Sequence, residues 1–90
     1  MMYLIMQLKL SISNYTEVEF FQLVNRICVD DYSTEQEHID AVLHFEKMTG
    51  HPDGSDLIYY PNTPEDGTPE NIVRIVKEWR LSQGLPCFKS

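Results

Sequence analysis

Three strong helix-start signals, and no matching rhythm for strands, decide what this chain can fold into. The segment YTEVEFFQLVNRIC opens with a capping box, Thr16 as cap and Glu19 three residues on. Tyr15 and Phe20 stand where a hydrophobic staple needs them. Phe20, Leu23, Val24 and Ile27 then recur at helical spacing, which predicts a helix over roughly Thr16 to Val29 with Cys28 packed at the edge of its apolar face. In DDYSTEQEHIDAVLHFEKMTG, Ser33 or Thr34 starts a second helix and Gly50 stops it. In GTPENIVRIVKEWRLSQG, Thr68 caps, Pro69 takes the first helical position, Lys77 and Arg80 suit the final turn, and Gly84 ends the helix. Ile72, Val73, Ile75, Val76 and Trp79 form its expected buried face. LKLSIS alternates briefly, but it has no partner strand.

A chain of 90 residues forms one domain around one core. Its net charge of −7 argues against direct contact with nucleic acid or anionic membrane, since both need positive charge. A basic partner fits that balance, and so does simple solubility. The apolar start MMYLIM is too short for a secretory core or a membrane span, and Met6 offers a second start, so residues 1–7 read as an N-terminal extension and 8–90 as the single domain. Cys28 and Cys87 lie far apart and form no C-x-x-C pair; free thiols in a reducing, cytoplasmic setting are expected.

Between the second and last helices lies HPDGSDLIYYP. HPDGSD is turn chemistry, Ser55 or Asp56 can cap a short helix there, and Pro61 ends it after about one turn. Adjacent tyrosines on a helix point about 100° apart, so Tyr59 and Tyr60 cannot share one core. They offer aromatic area with a polar tip, as binding surfaces do, or one of them packs inward with its hydroxyl at the surface. The second helix raises a related question. On a helical wheel Ala41, Phe45 and Met48 form the core arc, with His38 and Val42 at its edge. Ile39 and Leu43 fall on the far side, beside Glu35 and Glu46. Either this is a contact surface rimmed by acids, or the core is wider than the wheel assumes.

Tests for chemistry give little. His38, His44 and His51 miss the i, i+4 spacing of a helical zinc pair, and there is no H-E-x-x-H motif. There is no glycine-rich phosphate loop, and the carboxylates are scattered. No catalytic residue, metal site or cofactor is expected.

SISNYTEVEFFQLV, HPDGSDLIYYP and VKEWRLSQG, in that order, closely resemble the immunity proteins of DNase-type colicins and pyocins. The resemblance covers about Leu8 to Lys89. It implies an all-α fold, a small distorted antiparallel four-helix bundle with a very short third helix. It also implies an inhibitor, monomeric when free, that binds the DNase domain of its cognate toxin one to one. Such a protein covers a surface beside the active site and excludes DNA, with no contact of its own to nucleic acid or membrane. The family's shared anchor maps onto Asp56, Tyr59 and Tyr60, bordered by Ser55 and Pro61; its specificity residues map onto Glu35, His38, Ile39, Val42, Leu43 and Glu46. The chain departs from the pattern at MMYLI, which is extra, at Asn14, where an acid is usual, and at Cys87, where glycine is usual. Two rival readings are an acidic helical adaptor for an unrelated basic protein and a DNA mimic that plugs a nuclease site. The mimic would need acids at phosphate-like spacing, whereas the acids here surround an aromatic anchor.

Overall fold

The computed structural model describes residues 11–89; the start MMYLIM, the alternative start at Met6 and the first half of LKLSIS lie outside the described residues. Among the described residues four helices occur in order: α1 (Glu17–Val29), α2 (Glu35–Thr49), α3 (Asp56–Tyr59) and α4 (Pro69–Ser82). Short 3-10 turns, Ile12–Asn14 and Glu65–Gly67, precede α1 and α4. Among the described residues there is no strand, only an isolated bridge between Thr16 and Lys89.

The local signals act as their chemistry requires. Thr16 Oγ1 accepts from the Glu19 amide at 3.1 Å, and Glu19 Oε1 accepts from the Thr16 amide at 2.9 Å. The staple closes as an edge-on contact of Tyr15 with Phe20, ring centres 6.0 Å apart. At α2 the cap is Thr34, whose hydroxyl accepts from the Glu37 amide at 3.1 Å, while the Ser33 amide donates back to Glu37 Oε1 at 3.2 Å. Gly50 ends α2 with φ +63°, a left-handed conformation that costs glycine nothing. Thr68 and Pro69 open α4 as expected. Asn14 closes the first turn by accepting from the Ser11 amide at 3.1 Å, a role an acid could also fill.

The core joins Phe20, Leu23, Val24 and Ile27 of α1 with Ala41, Phe45 and Met48 of α2, Leu57 of α3, and Ile72, Val73 and Val76 of α4. Phe20 and Phe45 stack at its centre, ring centres 5.9 Å apart. Helix α1 packs chiefly on α4. Glu17, at the start of α1, meets Lys77, late in α4, at 2.9 Å, as antiparallel helices require. Hydrogen bonding to Glu17 raises the Lys77 pKa. Two sequence expectations need correction. Cys28 is exposed rather than packed, because it lies about 100° round α1 from Ile27, which the core buries in the same turn. Ile75 and Trp79 are only half-buried, since the buried stripe of α4 narrows to Ile72, Val73 and Val76. The C-terminal tail is also part of the fold: the Lys89 amide donates to Tyr15 O at 2.9 Å, and Phe88 packs on Phe20 with ring centres 5.2 Å apart.

Arg80 joins these parts. The last carbonyls of a helix have no partner within it. Arg80 Nη1 donates to two of them on α2, Thr49 O at 2.7 Å and Met48 O at 3.2 Å, and its Nε donates to Pro86 O at 2.7 Å. Arg80→Met keeps the stem but removes all three donors. It should lower stability in urea denaturation by about 2 kcal/mol, the scale of hydrogen bonds to a charged group. An unchanged midpoint would show that water satisfies those carbonyls equally well.

Candidate functional site

A helix of four residues has no stability of its own, because nucleation consumes more entropy than one turn returns. What holds α3 is therefore the first question. Leu57 is 93% removed from solvent and joins the core, with Ile58 packed beside it. The start of α3 is capped from another helix: the Ser55 amide donates to Glu46 Oε2 of α2 at 2.9 Å. Ser55 and Asp56 were the expected caps. Ser55 occupies the cap position, but its side chain makes no capping bond. Its backbone is helical (φ −68°, ψ −13°) rather than extended, and an extended backbone is what lets a serine reach forward to a free amide. Gly54 lets Glu46 in: its φ is +52°, and a Cβ there would fall 2.8 Å from Glu46 Oε2. Beyond α3, Gly67 lies so close to the Pro61 ring that a Cβ would sit 2.9 Å from Cγ, so the loop is folded back onto the end of α3.

With Leu57 inward, the tyrosines turn outward. Tyr60 is 78% exposed and Tyr59 48%, and Asp56 is exposed in the first turn beside them. This resolves the alternatives for the tyrosines: neither belongs to the core. Ile39 and Leu43 of α2 are 41% and 56% exposed, so the core is not wide enough to take them. Val42 is half-buried against the core, and Glu35 is exposed in the first turn of α2. The structure thus brings Ile39, Leu43, Tyr59 and Tyr60 to the surface, with Asp56 and Glu35 also exposed.

Two of the residues carried over as specificity contacts are engaged within the protein. Glu46 is the latch on α3. His38 is largely buried, with Nε2 2.9 Å from the Tyr59 hydroxyl and Nδ1 2.8 Å from Asp30 Oδ1. The Tyr32 ring meets His38 edge-on, ring centres 5.6 Å apart, and the Arg26 guanidinium lies 4.5 Å over Tyr32. Partial burial, then the neighbouring charges of Asp30 and Cys28, raise the Tyr59 pKa above the usual phenol range, so at neutral pH the hydroxyl keeps its proton. Partial burial likewise raises the Cys28 and Tyr32 pKa values. The end of α1 carries no signal that sequence reasoning recognised: Cys28 is exposed, Val29 is 62% exposed, and Asp30 caps the helix with φ +55°. An apolar valine on the last turn, just outside the i, i+3, i+4 stripe, was the available clue. On the other side of α3 a polar depression of about 330 Å³ is lined by Asp53, Asp56, Tyr60, Asp66 and Arg74, among others. Among the described residues no group of three or more His, Cys, Asp or Glu could hold a metal ion.

Comparison with known proteins agrees with this geometry. Residues 12–82 match the family model described as colicin immunity protein / pyocin immunity protein. The pyocin-S1 immunity protein of Pseudomonas aeruginosa is 50% identical over 86 residues, covering 92% of this chain and 99% of the relative, and the pyocin-S2 immunity protein of P. aeruginosa PAO1 matches to the same extent. Among solved structures, the mutant nuclease domain of pyocin S8 with its cognate immunity protein contains a chain that superposes with a TM-score of 0.82 at 39% identity, covering 91% of this chain and all of that one. The pyocin AP41 DNase–immunity complex gives 0.79 at 38% identity, covering 91% and 99%. The chain belongs to the colicin/pyocin immunity protein family.

The latch is testable without any partner. In the free protein, Glu46→Leu or Gly54→Ala should speed amide exchange at Ile58, Tyr59 and Tyr60 by about tenfold or more, while α1 and α4 keep their protection. Unchanged exchange at those three amides would mean that Leu57 alone holds α3.

Proposed function

We propose that this chain is a bacteriocin immunity protein that binds and inhibits the DNase domain of a cognate pyocin-type toxin. The observation that carries this reading is the pair of outward tyrosines on a latched four-residue helix, beside exposed Ile39 and Leu43, in a member of this family. The related pyocin S8 and AP41 complexes pair a nuclease domain with an immunity protein of the same fold.

Tyr59, Tyr60 and Asp56, bordered by Ser55 and Pro61, form the anchor. The aromatic rings bury area at little entropic cost because α3 is already fixed, and the exposed Asp56 carboxylate accepts donors from the toxin. Ile39, Val42 and Leu43 supply discrimination: a toxin that sets a charge or polar group opposite them leaves that group desolvated and unpaired. Glu35 meets the toxin's basic surface at the rim. Bound beside the nuclease site, the chain's bulk and its net charge of −7 keep DNA away, so inhibition needs no residue inserted into the toxin's catalytic centre. The chain acts as an inhibitor rather than a catalyst, in the cytoplasm of the cell that makes the toxin. Among the described residues no helix is long and apolar enough to cross a membrane.

The purified chain should inhibit the nuclease domain of its cognate pyocin-type toxin at one to one in a DNA-cleavage titration, and should not cleave DNA itself. Tyr60→Ala and Asp56→Ala should each weaken binding by about 2 kcal/mol or more with the fold intact, the scale of an interface hot spot. If both variants inhibit as well as the parent chain, the anchor lies elsewhere. The association rate should fall steeply with added salt, because an acidic inhibitor meeting a DNA-binding domain is steered electrostatically. A flat salt profile would contradict that steering.

A further inference from the structure

His38 is carried over from the family pattern as a residue that meets the toxin, yet its ring is turned toward its own protein and its side chain is only 18% exposed. Its two nitrogens are placed differently. Nδ1 is buried, with the Asp30 carboxylate 2.8 Å away at an oblique angle, a close charge contact rather than an aligned hydrogen bond. Nε2 lies 2.9 Å from the Tyr59 hydroxyl. A carboxylate beside one nitrogen of a neutral imidazole keeps the proton on that nitrogen, and the other nitrogen then carries a lone pair. Nε2 can therefore only accept, and Tyr59 must donate. A phenol has one proton. With that proton committed inward, the oxygen shows only lone pairs to an approaching partner.

Building on the functional reading above, we propose that His38 is a positioning residue that fixes Tyr59 and presents its hydroxyl to the toxin as a hydrogen-bond acceptor. The complement is an N–H donor: a lysine, an arginine or a backbone amide, in keeping with a basic partner. A second proton on the imidazole reverses the arrangement. Nε2–H then donates to the Tyr59 oxygen, the phenol proton turns outward, and donor faces donor. Binding through Tyr59 thus weakens when His38 becomes charged. The charged and titratable groups around this pair are Asp30, Arg26 and Cys28 from α1 and its cap, Tyr32 from the loop between α1 and α2, and Glu35 one turn earlier on α2.

Two measurements test this. In the free protein at neutral pH, the 15N shifts of the His38 ring should report the tautomer protonated at Nδ1; the Nε2-protonated tautomer overturns the proposal. The second uses the nuclease domain of the cognate pyocin-type toxin as probe. His38→Leu and Tyr59→Phe should each weaken binding about tenfold, and the double variant should be no weaker than the worse single one, because both remove the same hydrogen bond. His38→Gln places an amide oxygen near the Nε2 position with no titratable proton, so it should recover most of the His38→Leu loss. Protonation of the imidazole at low pH should weaken the wild-type complex relative to the His38→Gln and Tyr59→Phe complexes, whose profiles should run parallel. Additive losses, or a Tyr59→Phe profile as steep as wild type, sink the proposal alone. No binding by the wild-type chain sinks the functional reading and the proposal with it.

Discussion

The hydrogen bond from the Ser55 amide to Glu46 is the contact on which the proposed binding surface depends. One helical turn exposes as many free backbone groups as it satisfies, so α3 exists only because something outside it supplies a partner. A carboxylate does this better than a neutral acceptor, both by charge and by its place at the positive end of the turn. The same contact explains Gly54, where any side chain would collide with Glu46. It also helps set Asp56, Tyr59 and Tyr60 in place before a partner arrives, which reduces the ordering cost of association.

Helix α2 therefore has two duties. Its outer side carries Ile39 and Leu43, the residues proposed to discriminate between toxins. From the same helix Glu46 grips the start of α3, and His38 grips Tyr59 near its end. The proposed affinity and specificity surfaces are thus coupled mechanically. A substitution at position 38 or 46 meant to alter partner choice also disturbs the anchor, and its effect on binding cannot be read as a lost contact with the toxin alone. Ile39 and Leu43 make the cleaner specificity probes, since both are exposed in the free protein.

How much the sequence discloses depends on the range of each interaction. Caps and stops act within about four residues, so Thr16, Gly50, Thr68 and Pro69 could be read directly, the cap of α2 to within one residue, and three helices with them. The wheel placed Ile39 and Leu43 outside because periodicity is also local. Turn chemistry and Pro61 marked the short third helix, and resemblance to the immunity proteins supplied the anchor role expected of it. The latch from Glu46, nine residues ahead of Ser55 on another element, has no local signature. Neither has the His38–Tyr59 pair, 21 residues apart, or Arg80, which reaches 31 residues back to Thr49. Cys28 was misplaced for a different reason: it lies about 100° round α1 from buried Ile27, past the edge of a stripe whose width the sequence does not show.

The central claim is that the outer side of α2 and the turn α3 meet the toxin. Its most direct test is amide chemical-shift mapping of the 15N-labelled chain, titrated with the nuclease domain of the cognate pyocin-type toxin. The account predicts the largest changes at Glu35 to Leu43 and Ser55 to Tyr60, saturating at one equivalent. It also predicts little change around Val18, Leu81 and Leu85, exposed apolar residues on α1, α4 and the segment after it. Saturating changes centred on Val18, Leu81 and Leu85, with α3 unmoved, would contradict it.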